Sequence, residues 1–359
     1  MATAWALERL GFACLVFEQG APGGAQSGGE SRIFRHGHAD SRQFELARQA
    51  RRDWQDWEEE FGVQLISEDG AMVTGQEAVA RLARYADEPG MDVREIGPGD
   101  IAQYLPPMTS YGGPAMIDGS AGSIRSQLAL ANLIAAVGLN LVPEKVIAVE
   151  PRIEGGVSVT SSFGPRNFDA VVVAAGTGTS ELAEGAGVRI PLETRAHVRL
   201  TMPLRDGGFA RQLACLQDSS GAFGEAAAYG SPVTGNREYA VGLPITVPIE
   251  PEAGGRDLVD ALALRTSEYV DLALPGLDTS RAVALERWVT ELPWASDGLG
   301  IWQAGDAYFV AGHNLFKLAP ALGRALARAV VAGEVEPGLR PEDRLGLPDS
   351  ETPESAPAA

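Results

Sequence analysis

The segment from Met1 to Glu18 restricts the fold of this chain more than any other: a helix runs through a glycine turn into an apolar strand that ends on an acid. Ala2, Ala4, Trp5, Ala6 and Leu7 are good or tolerable helix residues, and Gly11 stops the helix. Phe12 to Phe17 is a continuous apolar run of the kind found in parallel strands covered on both faces, closed by Glu18, Gln19 and Gly20. In a dinucleotide-binding βαβ unit, the acid that bonds the ribose lies about 20 residues beyond a glycine-rich turn. With Glu18 as that acid, the turn falls at or before Met1 and the first strand is missing. An ordinary helix and strand closed by a solvated glutamate fits the same residues, so this segment alone leaves both readings open.

A chain of 359 residues is long enough for two domains with their own cores. Its net charge of −19 repels phosphates and argues against nucleic-acid or anionic-membrane partners. The 2 cysteines, Cys14 and Cys215, make no disulfide framework, and 4 histidines without a Cys/His cluster argue against a zinc site. With no signal-peptide pattern and no apolar run of membrane-spanning length, the expected location is cytoplasmic.

Further along, Gly20 to Gly29 is a Gly/Ala/Ser-rich loop, and Gln43 to Phe61 reads as an amphipathic helix whose aromatic residues are core. Gly70 to Val73 reads as a strand, Gln76 to Asp87 and Gly97 to Leu105 as helices, and Ser123 to Val137 as a helix introduced by Gly122. Ala170 to Ala174 is a second buried-strand run, followed by the turn Gly176-Thr177-Gly178. From about Pro191 to Leu285, alternating strands and turns with one helix suggest an antiparallel α+β domain inserted into the first. Near the end, the strand Ala307 to Ala311 turns at Gly312-His313-Asn314 into a helix with Pro320 in its first turn. The expected division is a discontinuous α/β domain (1–69, 122–188 and 289–335), a second domain (70–121 and 189–288) and a disordered tail (336–359) rich in Pro, Glu, Asp and Ser.

Of 29 Lys plus Arg, only Lys145 and Lys317 are lysine, and Lys317 sits in an otherwise apolar segment at the mouth of that last helix. A helix N-terminus carries about half a positive charge and suits an anionic or electron-rich ligand edge. Arg32 and Arg35 flank Ile33 and Phe34 beside the Gly-rich loop, and arginines so placed usually have an anionic partner, although solvent, Glu30 or Asp40 would also serve.

Taken in order, the segments ATAWALERLGFACLVFE, SGGESRIFRH, KVIAVE, VVVAAGTGTSEL, ASDGLGIWQ and YFVAGHNLFKLAPALGRALA resemble the FAD-dependent amine oxidoreductases of the D-amino-acid oxidase superfamily. Within it the likeness is greatest to the monomeric sarcosine oxidase and N-methyl-amino-acid oxidase branch. The resemblance covers nearly the whole chain up to about Arg344, and its most specific pieces are SGGESRIFRH and AGHNLFKLAP. It implies a Rossmann-like FAD-binding domain, lacking its first strand, with an inserted antiparallel α+β substrate domain.

It also implies roles. Glu18 matches the acid on the adenosine ribose, and Val146 the residue whose main chain meets the adenine. Ser27, Ser31 and Arg32 match the loop along the pyrophosphate and flavin, and Gly176 is counted with these cofactor positions. Gly312, Asn314, Phe316 and Lys317 match the stretch beside the flavin pyrimidine ring. Arg35 and Lys317 match the two cations that hold the substrate carboxylate, and Tyr229 an aromatic facing the substrate. A bidentate Arg plus a Lys point charge would aim the carbon that gives up hydride, a task of positioning more than of acid–base chemistry.

The chain departs from the family pattern at three places besides the Gly-rich turn. Ala240 stands where the oxidases place a lysine that helps O₂ accept electrons, which leaves an acceptor other than O₂ as an alternative. Pro244 replaces an active-site histidine. Thr290 or Glu291 stands where the sarcosine oxidase branch links FAD through cysteine, so non-covalent FAD is expected. The expectation is thus a monomeric FAD enzyme acting on the CH–NH or CH–NH₂ group of a small amino acid or N-methyl amino acid, with O₂ or another acceptor. The alternatives are an inactive or FAD-free truncated relative and a flavin dehydrogenase that does not use O₂. An NAD-dependent dehydrogenase would leave AGHNLFKLAP without a role.

Overall fold

The computed structural model describes residues 1–249 and 255–351 and has a mixed α/β fold. The helix Ser41–Phe61 organises one half. Asp40 caps its start by accepting from the Arg42 N–H at 2.9 Å, and Gly62 ends it in the left-handed region at φ 65°. Its buried face, Phe44, Ala47, Ala50, Trp54 and Trp57, recurs at helical spacing, and Trp57 meets Trp54 and Trp5 edge-on at 5.1 and 5.5 Å. Trp5 belongs to the first helix, Ala2–Arg9, which lies against Ala319–Ala332. The two backbones approach so closely that a Cβ on Gly323 would stand 2.7 Å from the Ala2 carbonyl carbon.

The parallel strands of this half form two separate pieces. Val16–Phe17 pairs with Leu141–Val142, while Val171–Val173 pairs with Ala307–Gly312, which in turn runs antiparallel to Leu299–Ala304. Residues of Val16–Phe17 and of Val171–Val173 line one shared cavity instead of bonding to each other. Here the structure corrects the expected strand Phe12 to Phe17: only Val16–Phe17 is strand, and Phe12 and Leu15 are about half exposed. With ladder bonds on one edge only, among the described residues, the rest of the run is not held extended.

The other half is a nine-stranded, mostly antiparallel sheet that combines strands from 71–118 with strands from 193–291, backed by the helix Gly255–Ala273. Leu200, Met202, Leu216, Tyr239, Val241 and Tyr269 form its core. A second correction lies in the first half: Gly122–Arg125 is a strand paired with Ser31–Phe34, and the helix begins only at Ser126. That pairing fixes the orientation of the segment carrying Arg32 and Arg35.

The expectation of disorder from 336 onward is not met over 336–351. Leu339, Leu345 and Leu347 are buried, the Ile301 N–H donates to Leu339 O at 2.8 Å, and the Gly346 N–H donates to the Asp40 carboxylate at 2.7 Å. Three leucines spaced through a polar segment suffice to anchor it to the core; residues 352–359 lie outside the described residues. No described helix is long and apolar enough to cross a membrane.

Candidate active site

A single cavity of about 2120 Å³ runs between the two halves and reaches every residue singled out above from the sequence as a site candidate. Glu18 and Val146 stand at one end, where Glu18 Oε1 accepts the Gly20 N–H at 2.9 Å and so fixes the turn into the Gly-rich loop. Ser27 is exposed to the cavity. Gly176 has φ 58°, and a side chain there would collide with Gln26. Gln26 in turn donates to Thr290 Oγ1 at 3.2 Å, and Thr290 donates to Gly312 O at 2.8 Å, which stitches the loop to the two strands behind it.

Arg32 spends its donors on backbone carbonyls, Ser31 O at 2.9 Å, Gln26 O at 3.2 Å and Gly28 O, with its guanidinium 5.8 Å from the Phe316 ring centroid. Burial first, and then Arg199 and Arg287, push its pKa down to about 9. Ser31 bonds Ser231 across the two halves, Oγ to Oγ at 2.9 Å.

Lys317 and Arg35 converge. Lys317 lies in the short 3₁₀ turn Leu315–Leu318, entered through Gly312 (φ 151°) and Asn314 (φ 55°), and its carbonyl is held by Trp54 Nε1 at 2.8 Å. Its Nζ is buried 3.6 Å from Asp297 Oδ2, the oxygen that also takes Arg35 Nη2. Asn314 donates to the other oxygen of Asp297, and Gln43 donates to its main-chain carbonyl at 2.6 Å. His38, fully buried, has Nδ1 3.9 Å from the same carboxylate, and its Nε2 has no partner among the described residues. Burial would raise the Asp297 carboxyl, but Lys317, Arg35, His38 and His313 outweigh it and hold the carboxyl well below the usual range. Burial lowers the Lys317 ammonium to about 8 against the opposing pull of Asp297.

Two cations and one anion leave a single positive charge at the point where the helix Ala319–Ala332 begins. The site can therefore hold one carboxylate without leaving a net charge buried. Asp297 and His38 were not among the candidates drawn from the sequence; Asp297 lay inside the segment ASDGLGIWQ, and only the Arg/Lys pair that needs a counter-ion pointed toward it. Tyr229 joins a different group: its hydroxyl is 3.1 Å from His197 Nδ1 and its ring lies 5.8 Å from the Arg199 guanidinium. Ala240 and Pro244 also line the cavity, with Ala240 buried in strand register opposite Ser231 and Thr201.

The cavity suits a long, flat dinucleotide. It extends from the carboxylate of Glu18 past the Gly-rich loop to Phe316, and Gly312 leaves no room for a side chain against Gly298. FAD would be held by the loop carbonyl-bound Arg32, the Glu18 end and the Gly312–Lys317 turn.

Comparison with known proteins agrees. The family described as FAD dependent oxidoreductase matches residues 1–329. NikD, an unusual amino acid oxidase essential for nikkomycin biosynthesis, in its open form, superposes with a TM-score of 0.78 at 20% identity, over 92% of this chain and 90% of that one. Glycine oxidase from Geobacillus kaustophilus gives 0.71 at 19% identity over 93% and 92%, and L-proline dehydrogenase from P. horikoshii 0.74 at 17% over 93% and 91%. No curated relative matches the chain by sequence. The protein belongs to the FAD-dependent oxidoreductase family, and its cofactor is FAD.

Proposed function

We propose that the protein oxidises the amine of a small amino acid or N-methyl amino acid, within the sarcosine oxidase-like part of the family, with non-covalently bound FAD. The observation that carries this reading is the meeting of Arg35 and Lys317 on one carboxylate oxygen inside the cavity. Two cations brought from separate elements to one carboxylate are arranged to take a second carboxylate beside it, and Asn314 and Gln43 hold Asp297 so that it shares the cations without filling the cavity. FAD, when bound, supplies the acceptor for the hydride on the carbon next to nitrogen. Arg35 and Lys317 orient that carbon, Tyr229 and Phe316 limit its motion, and the imine released is hydrolysed by water. Ala240, small and uncharged, supports an electron acceptor other than O₂.

The test is steady-state kinetics on a panel of small amino and N-methylamino acids with an artificial acceptor and with O₂. Lys317→Met removes one charged partner of the carboxylate, worth about 1.5–3 kcal/mol, so KM for carboxylate substrates rises about tenfold or more. An unchanged KM would count against the clamp.

The split sheet favours a second reading, a folded relative that does not retain FAD. Met1 and Phe12 to Phe17 form one wall of that end of the cavity and Val171 to Ala174 the other, with no ladder between them. A visible spectrum of the purified protein separates the two readings, since bound flavin absorbs where apoprotein does not.

A further inference from the structure

The cavity holds a second concentration of positive charge that the Arg35–Lys317–Asp297 group does not use. Arg199, on the strand Glu193–Pro203, is 9% exposed; Arg287 lies on the neighbouring strand Val283–Glu291, directly opposite His197 in the antiparallel register. Arg199 Nη1 donates to Ser31 O at 3.1 Å, the same carbonyl oxygen that takes Arg32 Nη1 at 2.9 Å, and Arg199 Nη2 donates to Ser231 Oγ at 2.9 Å. A Cβ on Gly28 would stand 3.3 Å from Arg287 Nη2, so all three guanidiniums converge on Gly28 to Ser31.

None of the three forms an ion pair among the described residues. Arg287 makes no hydrogen bond to any of them, and the Nε atoms of Arg199 and Arg287 are buried without partners. The repulsion is felt nearby: burial and then Arg199, His313, Arg32 and Arg287 drive His197 down to about 3. Gathering unpaired cations at low exposure is costly. It is not forced by a lack of acids, since the chain has 48 Asp plus Glu and a net charge of −19. Arg32 has its donors on carbonyls and Arg199 spends its Nη atoms on Ser31 and Ser231, both neutral, so neither is charge-compensated, and Arg287 has no acceptor at all among the described residues. His313 bears electrostatically on both His197 and Asp297, so the two charged groups share one neighbour and one cavity.

We infer that Arg199 and Arg287 form a second anion site that receives a distal carboxylate of the substrate, so that the preferred amines are dicarboxylic. This rests on the reading that Arg35 and Lys317 hold the first carboxylate. A bidentate arginine and a second guanidinium suit a planar carboxylate, and the two sites together select substrates by the distance between their acidic groups.

Calorimetric titration of the purified full chain with glutarate and with butyrate tests this without turnover. Glutarate is expected to bind about tenfold or more tightly than butyrate, and Arg199→Gln and Arg287→Gln to bring the ratio toward one. Arg287, half-buried and without a hydrogen-bond or ion-pair partner among the described residues, keeps the test open where Arg199→Gln unfolds. Equal affinities in the unsubstituted protein, or a ratio that neither substitution moves, overturn the inference. It is overturned also if the substitutions strip FAD from the protein and leave the ratio intact, because the anion is then the cofactor's. Lys317→Met separates the two readings. If it weakens both ligands while the starting ratio is one, the first site stands and the second fails. If it weakens neither while Arg287→Gln still lowers the ratio, the second site stands alone.

Discussion

Lys317 illustrates how much of the chemistry hangs on a single side chain. An ammonium buried among apolar residues loses solvation, and at about 8 its pKa falls within the working range of many enzymes. In the proposed clamp the charged ammonium serves below that value and the neutral amine above it does not. KM for a carboxylate substrate should therefore rise as pH passes through about 8, while an uncharged amine shows no such break in its KM profile. Asp297 raises the Lys317 pKa, so Asp297→Asn should move the break to lower pH, a direction that a purely structural role for Asp297 does not produce. The lone lysine in an apolar segment was visible in the sequence. Its counter-ion was not, because Asp297 comes twenty positions earlier, on a different element, and nothing local marks it.

At the scale of elements, the turn that carries Lys317 is held from two sides. Trp54 of the helix Ser41–Phe61 fixes its carbonyl, and the helix that follows it packs against Ala2–Arg9 through Gly323. Gly323→Val would drive a branched side chain into the Ala2 backbone and should destabilise the fold by about 1–3 kcal/mol, read as a lower urea midpoint with an unchanged slope. Helical spacing of Phe44, Ala47, Trp54 and Trp57 made this helix legible, and the apolar run Val171 to Val173 made its strand legible. Ser123 to Arg125 reads as helix in isolation because the residues are tolerable there; pairing with Ser31–Phe34, distant in sequence, decides otherwise. The polar stretch from Glu336 to Glu351 departs from its composition for a similar reason, since three spaced leucines outweigh a disorder-prone composition once a core is there to receive them.

For the whole molecule, the consequence is a cavity built by two halves, neither of which contains the site. Glu18, Arg32, Arg35 and Lys317 belong to one half and Arg199, Tyr229 and Arg287 to the other, joined by Ser31–Ser231 and Gln26–Thr290 contacts. A ligand that spans both should stabilise them together, so added FAD should raise Tm by an amount that grows with its concentration. Denaturing the holoprotein should then release the yellow colour from the polypeptide, since Thr290 bonds Gly312 and Gln26 where the resembling branch carries its cysteine link, and Cys215 is buried with its thiol pushed up by burial.

The amino-acid sequence by itself determined most of the local elements, because periodicity and turn residues act over short distances along the chain, and it carried the family likeness, which in turn implied the Arg35–Lys317 pair. The split of the parallel strands, the sharing of Asp297 between two cations and the meeting of Arg32, Arg199 and Arg287 were decided only in three dimensions. Charge and close packing act through space, and these partners are brought together by strands and helices far apart in sequence.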